Sequence, residues 1–243
     1  MDIKTCAMAT MPSRLPYLQK AIRSIIEQVD ELKIYCNGFE ELPDLGGTDI
    51  DYGKIEMYLG PDLGSAGRFF WAELNRGYYI TIDDDLEYPP NYVEYMISKV
   101  EEYKRQAIIT LHGKILEQPL VYWIGTGPGR MKAVYACLAR VDNDYDCHVA
   151  GTGASVYHAN TLKIKMSDFK NRNLDDVEFS ILAQKQNAPI IVVKHDEGFL
   201  KYLFPPDSGT IWAETIKNPW PLIRLAQSHQ WRLIKLAPQR SIS

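Results

Sequence analysis

Long hydrophobic runs are missing from this chain. No stretch approaches the roughly 18 apolar residues of a membrane-spanning helix, so a helical membrane protein is not expected. Cysteine is scarce: Cys6, Cys36, Cys137 and Cys147 are the only four in 243 residues, with no C-x-x-C pair and no spacing that suggests a disulfide framework. Cys6 and Cys36 fall in apolar, strand-like runs, where a buried free thiol is the default. A reducing, cytoplasmic setting is therefore expected, and the strand-like opening at Ile3 argues against a leader peptide. No glycine precedes Gly38, which counts against the glycine-rich loop that nucleotidyltransferases need after their first strand. Low-complexity tracts, internal repeats and long flexible linkers are also absent, so a single domain is expected. Acidic residues stop at Glu214, while Lys217, Arg224, Arg232, Lys235 and Arg240 follow. The net charge of -4 argues against a whole-protein affinity for nucleic acid or anionic lipid, although this last stretch is locally basic.

What is present reads as alternating strands and helices. Strands are expected over 3–9, 32–36, 55–59, 78–82, 108–111, 134–141 and 190–193. A helix is expected over 15–29, where Leu15, Leu18, Ile22, Ile25, Ile26 and Val29 recur at helical spacing. Further helices are expected over 69–74, over 92–105 behind Pro89-Pro90, over 171–186 and over 219–236. Strand and helix alternate about every 25 to 30 residues in the first half, the pattern of βαβ units. The fold class is thus α/β, with a mainly parallel central sheet flanked by helices.

The run from Tyr78 to Ile82 is apolar and rich in β-formers, and it ends in Asp83, Asp84 and Asp85. Ligands bind beyond the carboxyl ends of parallel strands. Three adjacent carboxylates there repel one another unless a cation neutralises them. Hard oxygen ligands suit Mg²⁺ or Mn²⁺ and, through the metal, a substrate phosphate. The plain alternative is an acidic loop before a proline turn. An EF-hand is not supported, because the interior glycine and distal glutamate of its loop are missing. A haloacid-dehalogenase-like phosphatase also places D-x-D after a buried strand, but near the chain start and followed by a threonine; Glu87 and the interior position disagree.

Five segments in order resemble the GT-A glycosyltransferases, specifically the inverting family 2 group. These are Ala9-Thr-Met-Pro-Ser-Arg14, Asp62-Leu-Gly-Ser-Ala-Gly-Arg68, Ile82-Asp-Asp-Asp85 with Tyr88-Pro-Pro-Asn-Tyr92, Gly151-Thr-Gly-Ala-Ser155, and the pair Asp175-Asp176. The match covers about residues 3 to 200. The resemblance implies a GT-A domain over 1–215, with a Rossmann-like nucleotide-sugar half over about 1–112 and an acceptor half over about 113–215. A basic amphipathic tail over 216–243 follows.

The resemblance also implies roles. Asp85 is the leading metal ligand for Mn²⁺ or Mg²⁺. Asp83, one pleat away, either shares the metal or contacts the ribose or a metal-bound water. Asp84 points to the other face, for the donor or for structure. His195, after the last strand, either completes the metal site or is a histidine in a polar turn. Thr10, Pro12, Arg14, Asp62, Gly64 and Arg68 would line the nucleotide sugar. Arg68 and Arg14 would pair with its diphosphate or stand as solvated arginines. Gly151 and Gly153 would let the backbone approach the donor sugar, or mark a bulge or tight turn. Asp176 is the implied general base for the acceptor hydroxyl; otherwise it and Asp175 complement a helix dipole. Asp175, about 100° around the helix, should matter less.

Asn37-Gly38-Phe39 stands where family members often carry an acid that holds the base, so the base is open, with UDP favoured on family frequency. The Q-x-x-R-W motif of processive synthases is absent, which favours transfer of one sugar. The implied acceptor is a cell-envelope glycan or lipid-linked precursor. The stretch with Trp220, Leu222, Ile223, Trp231, Leu233 and Ile234 would meet the inner membrane face or pack on its own domain. A hydroxymethylated DNA base, as in phage-type enzymes, is the alternative acceptor. A catalytically inactive GT-A-like binding module is the alternative of another class.

Overall fold

The computed structural model describes residues 2–46, 50–117, 131–203 and 211–236. Its strands are β1 (Lys4–Thr10), β2 (Glu31–Asn37), β3 (Ile55–Gly60), β4 (Tyr78–Ile82), β5 (Leu86–Glu87), β6 (Ile108–Thr110) and β7 (Gly113–Leu116). There follow β8 (Met131–Tyr135), β9 (Tyr145–Cys147), β10 (Val149–Ala150), β11 (Ala154–His158), β12 (Ile190–Val192) and β13 (Lys201–Tyr202). The α-helices are α1 (Leu15–Ile25), α2 (Tyr92–Glu102), α3 (Asp175–Lys185), α4 (Ile211–Lys217) and α5 (Trp220–Gln227).

Eight strands form one sheet in the order β3-β2-β1-β4-β11-β6-β12-β9. β1 pairs in parallel with β2 and β4, β2 with β3, and β6 with β12. β11 runs antiparallel between β4 and β6, and β9 antiparallel at the edge. Because β11 opposes both neighbours, β4 and β6 point the same way. Six strands therefore send their carboxyl ends to one edge.

The period of two along each strand divides the core between the two faces of the sheet. Cys6, Met8, Tyr78, Ile80 and Ile82 pack on one face with α1 and α2. Ala7, Ala9, Tyr79 and Tyr157 pack on the other with Phe69, Phe169 and Phe179. The first cluster joins early residues to Ala154, Val156, Ile191 and Val193, so the two expected halves share one core.

Three expected elements differ. In place of a helix over 69–74 stand two 3₁₀ turns, Gly64–Phe69 and Ala72–Leu74. Two glycines and three consecutive aromatics are poor helix formers. The aromatics also face different partners: Phe69 stacks on Phe169, while Phe70 stacks on Tyr58. The strand expected over 134–141 stops at Tyr135, where a turn closed by the Ala139 amide on the Ala136 carbonyl intervenes. The helix expected over 219–236 ends at Gln227, and the Trp231 indole folds back to donate to the Ala226 carbonyl at 2.8 Å. Leu222, Ile223, Ala226 and Trp231 are buried against Leu174 and Val177 of the α3 segment. The apolar side of this stretch thus covers its own domain, leaving Trp220 and Leu233 exposed. Arg240 lies outside the described residues.

All four cysteines are free, and Cys6, Cys36 and Cys147 are buried. Among the described residues no helix is long and apolar enough to cross a membrane.

Candidate active site

Asp83, Asp84 and Asp85 follow directly on β4, whose five residues are all buried. The turn is fixed by Tyr88, a fully buried side chain whose Oη accepts from the Asp83 amide at 2.9 Å and donates to the Gly153 carbonyl at 2.8 Å. One phenol thereby ties the strand end to the glycine-bearing loop before β11. Gly153 lies so close that a Cβ there would sit 1.8 Å from Asp83 Oδ2, and a Cβ on Gly151 would meet the His112 side chain at 2.7 Å. Both glycines thus leave room for the protein's own side chains, Asp83 and His112.

Two buried arginines meet the acids. Arg14 Nη1 lies 3.1 Å from Asp85 Oδ2, and Arg68 Nη2 lies 2.7 Å from Asp83 Oδ1. Arg68 also donates to the Ser65 carbonyl at 2.9 Å and the Ile82 carbonyl at 3.1 Å, and its Nε stands 3.6 Å from Asp175 Oδ2. Neither arginine is the solvated surface cation that the sequence left open. Burial works against the Arg68 charge, yet Asp83 and Asp175 raise its pKa further above the usual value.

The aspartates differ among themselves. Burial, then the charges of Asp83 and Asp84, push Asp85 up to about 7. Burial likewise pushes Asp84 up to about 6, and its buried Oδ2 has no hydrogen-bond partner among the described residues. The Asp83 side chain is 37% exposed and opens to solvent.

Asp175 and Asp176, in the first turn of α3, converge on Thr152 instead of diverging around the helix. Thr152 Oγ1 donates to Asp175 Oδ2 at 2.7 Å and lies 2.9 Å from Asp176 Oδ1, which also accepts from the Thr152 amide at 2.8 Å. Asp175 is buried and takes a further short hydrogen bond from Ser65 Oγ. The Asp176 side chain stays 35% exposed, with Lys114 Nζ at 3.8 Å from its Oδ2. Burial would raise Asp176, but Lys114, the Thr152 amide and His112 outweigh it and hold the carboxyl below its ordinary range.

The other expected residues lie in the loops around these acids. Asp62 caps its own turn through the Gly64 amide at 2.9 Å and pairs with Arg172 at 2.7 Å, an interaction that lowers its pKa. Gly64 has φ of +61°, which favours glycine, and Asn173 Oδ1 occupies the place of its missing Cβ. Asn37 pins the same loop, accepting from the Leu63 amide at 2.9 Å and donating to the Gly64 carbonyl at 3.0 Å. Thr10 is buried at the end of β1, and Pro12 opens the turn that carries Arg14. Both ring nitrogens of His195 face carbonyls, Nδ1 that of Val193 at 2.7 Å and Nε2 that of Ala136 at 3.4 Å. His195 is buried, and its ring lies among backbone carbonyls at the turn that follows the last parallel strand.

Sequence reasoning missed several neighbours of the acids. Lys114 and His112 approach Asp176 from β7 and the residues before it; burial, then Lys114, pushes His112 down to about 4. Burial and the nearby Asp83 push the half-buried Cys137 thiol up to about 12. Tyr202 stands on β13, next to Leu203, whose amide donates to the Asp85 carbonyl at 2.8 Å; burial followed by the charges of Asp85 and Asp83 pushes its phenol up to about 12. None of the four stands in a recognisable motif.

Five carboxylates thus face Arg14, Arg68 and Lys114 as cations. Among the described residues no three His, Cys, Asp or Glu side chains gather into a ready metal cage. Mg²⁺ commonly takes only one or two carboxylates and completes its shell with phosphate oxygens. Hard oxygens and an excess of negative charge fit an ion held in that shared way.

No family model matches this chain, and no curated relative matches it. Fold and site together define a mixed α/β protein with an acid-rich centre at the carboxyl edge of its parallel strands.

Proposed function

We propose that this protein is a metal-dependent, inverting GT-A-type glycosyltransferase that moves one sugar from a nucleotide sugar to a hydroxyl acceptor. The observation that carries it is convergence. Arg14, Arg68, Asp83 to Asp85, Gly153 and the Asp175-Asp176 pair lie far apart in sequence, yet short contacts join them at one sheet edge. Mn²⁺ or Mg²⁺ would be held by Asp85 and Asp83 together with the donor diphosphate, and would supply charge neutralisation of the leaving group. Arg14 and Arg68 hold those carboxylates in place. Asp176, the more open of its pair, takes the proton of the acceptor hydroxyl, and Thr152 fixes its orientation. The acceptor class expected from the resemblance, a cell-envelope glycan or lipid-linked precursor, is part of this proposal.

Thermal shift with Mn²⁺ and UDP-, GDP-, CDP- and dTDP-sugars tests the reading. One nucleotide should stabilise the protein above the others, and no stabilisation by any of them would refute the donor class. Asp85→Asn should abolish that stabilisation and the transfer activity. Its own melting point should be unchanged or higher, because the amide replaces a charge that burial and two neighbouring carboxylates disfavour.

A further inference from the structure

Only one side of α5 packs on the fold. Leu222, Ile223 and Ala226 are buried against Leu174 and Val177. Trp220 and Arg224, one helical turn apart, share another side and are exposed. At 56% exposure the Trp220 indole contributes little to packing, and among the described residues it has no ring or hydrogen-bond partner. The Trp231 bond to the Ala226 carbonyl keeps Arg232 and the 39% exposed Leu233 beside the end of the same helix. The Arg232 carbonyl accepts from Gln184 at 2.9 Å, next to Lys185 at the end of α3. Lys185, Lys217, Arg224 and Arg232 are all exposed, and none pairs with an acid among the described residues. Glu214 is the only acid from 211 to 236. Lys235 is set apart from this group, because it lines a cavity with Asp144 and Asp146.

We infer that this surface docks on an anionic lipid bilayer, with Trp220 and Leu233 entering the headgroup region and Lys185, Lys217, Arg224 and Arg232 facing lipid phosphates. Charge complementarity selects the partner. The cations are gathered locally on a protein whose net charge is -4, and a negatively charged leaflet attracts such a cluster. Tryptophan favours the membrane–water interface, whereas an uncharged protein partner would leave the cations desolvated and unpaired. α5 has eight residues and its apolar side is already covered, so it rests on the bilayer surface and does not insert. Leu174 and Val177, beneath the helix, flank Asp175 and Asp176 in the chain, so the docked bilayer lies on the side of the acid centre that α3 forms. The docking itself does not depend on the glycosyltransferase reading.

Co-sedimentation of the full-length protein tests this with vesicles of phosphatidylcholine alone and of equimolar phosphatidylcholine and phosphatidylglycerol. Binding is expected to the mixed vesicles only, and it should fall as salt rises. Arg224→Gln should weaken it about fivefold. Trp220→Ala should weaken it as well, and both variants should keep the wild-type melting point, because the two side chains are exposed. No binding to the mixed vesicles at low salt would overturn the inference, as would binding that both variants retain in full or that pure phosphatidylcholine matches. If the variants instead lose affinity for duplex DNA, and vesicles are not bound, the surface belongs to nucleic acid and the membrane assignment fails. Vesicle binding in a protein that responds to no nucleotide sugar would leave the docking surface standing and sink the glycosyltransferase reading alone.

Discussion

Asp175 and Asp176 share Thr152 but differ in exposure, and that difference separates their expected effects. Asp176→Asn should leave nucleotide-sugar affinity nearly intact while lowering the rate of the chemical step by roughly 10²- to 10⁴-fold, as loss of a general base does. Single-turnover kinetics beside equilibrium binding checks this. Asp175→Asn disturbs the buried bonds to Ser65 and Thr152 and weakens the pairing of Arg68, so its main effect should be on stability, about 1 to 3 kcal/mol by urea unfolding. A larger effect of Asp175 on the chemical step would reassign the base. Gly153→Ala would drive a Cβ into Asp83 and through it disturb Arg68; weaker Mn²⁺-dependent nucleotide binding is expected, with a fold still cooperative in thermal melting. At this scale the aspartates were legible because a buried run ending in three acids is a local pattern. The reason for Gly153 was not, because it depends on a side chain 70 positions away. Lys114 and His112 were equally hidden, since each comes to the acids only through tertiary packing.

Among the elements, those set by local periodicity lie close to expectation. α1 buries Leu18, Ala21, Ile22 and Ile25 along one face, and β4 spans the residues its composition suggested. α3 is different: it buries Asp175, Glu178, Ser180 and Gln184 along with apolar residues, so its polarity hides which side faces inward. The C-terminal stretch was misjudged in length because its terminator is the Trp231 indole, a contact within a loop that periodicity does not register. Trp231 is buried beside Leu222 and Ile223 and closes the end of α5. Trp231→Ala should therefore cost about 3 to 5 kcal/mol in urea unfolding. It should also increase hydrogen exchange in α5 ahead of the central sheet. An exchange pattern unchanged in α5 would show that the helix holds without its indole.

For the molecule as a whole, acid should weaken the fold through its buried histidines. His148 is buried, its Nδ1 accepts from the Leu116 amide at 2.8 Å, and burial pushes its pKa down to about 4. The unfolded chain takes up that proton near the ordinary histidine value, so stability is full above about pH 6.5 and is lost as pH falls towards 4. The contribution is at most roughly 3 kcal/mol. His148→Asn keeps an acceptor for Leu116 without the titration, and its urea midpoint should fall less between pH 6.5 and 4.5 than that of the wild type. His112 acts in the same window and Asp84 and Asp85 act in the opposite sense, which is why the difference between the two proteins is the measured quantity. The order of strands bears on how the chain is made. β3, β2, β1 and β4 find all their mutual partners within the first 82 residues, and a ribosome can release that layer as a unit. β6 cannot join it: both of its neighbours, β11 and β12, are translated later. The segment Ile108–Thr110 must therefore wait, apolar and unpaired, until residues 154–158 arrive to bridge it to β4, and this interval is where nascent chains should be most vulnerable to aggregation and most dependent on chaperones.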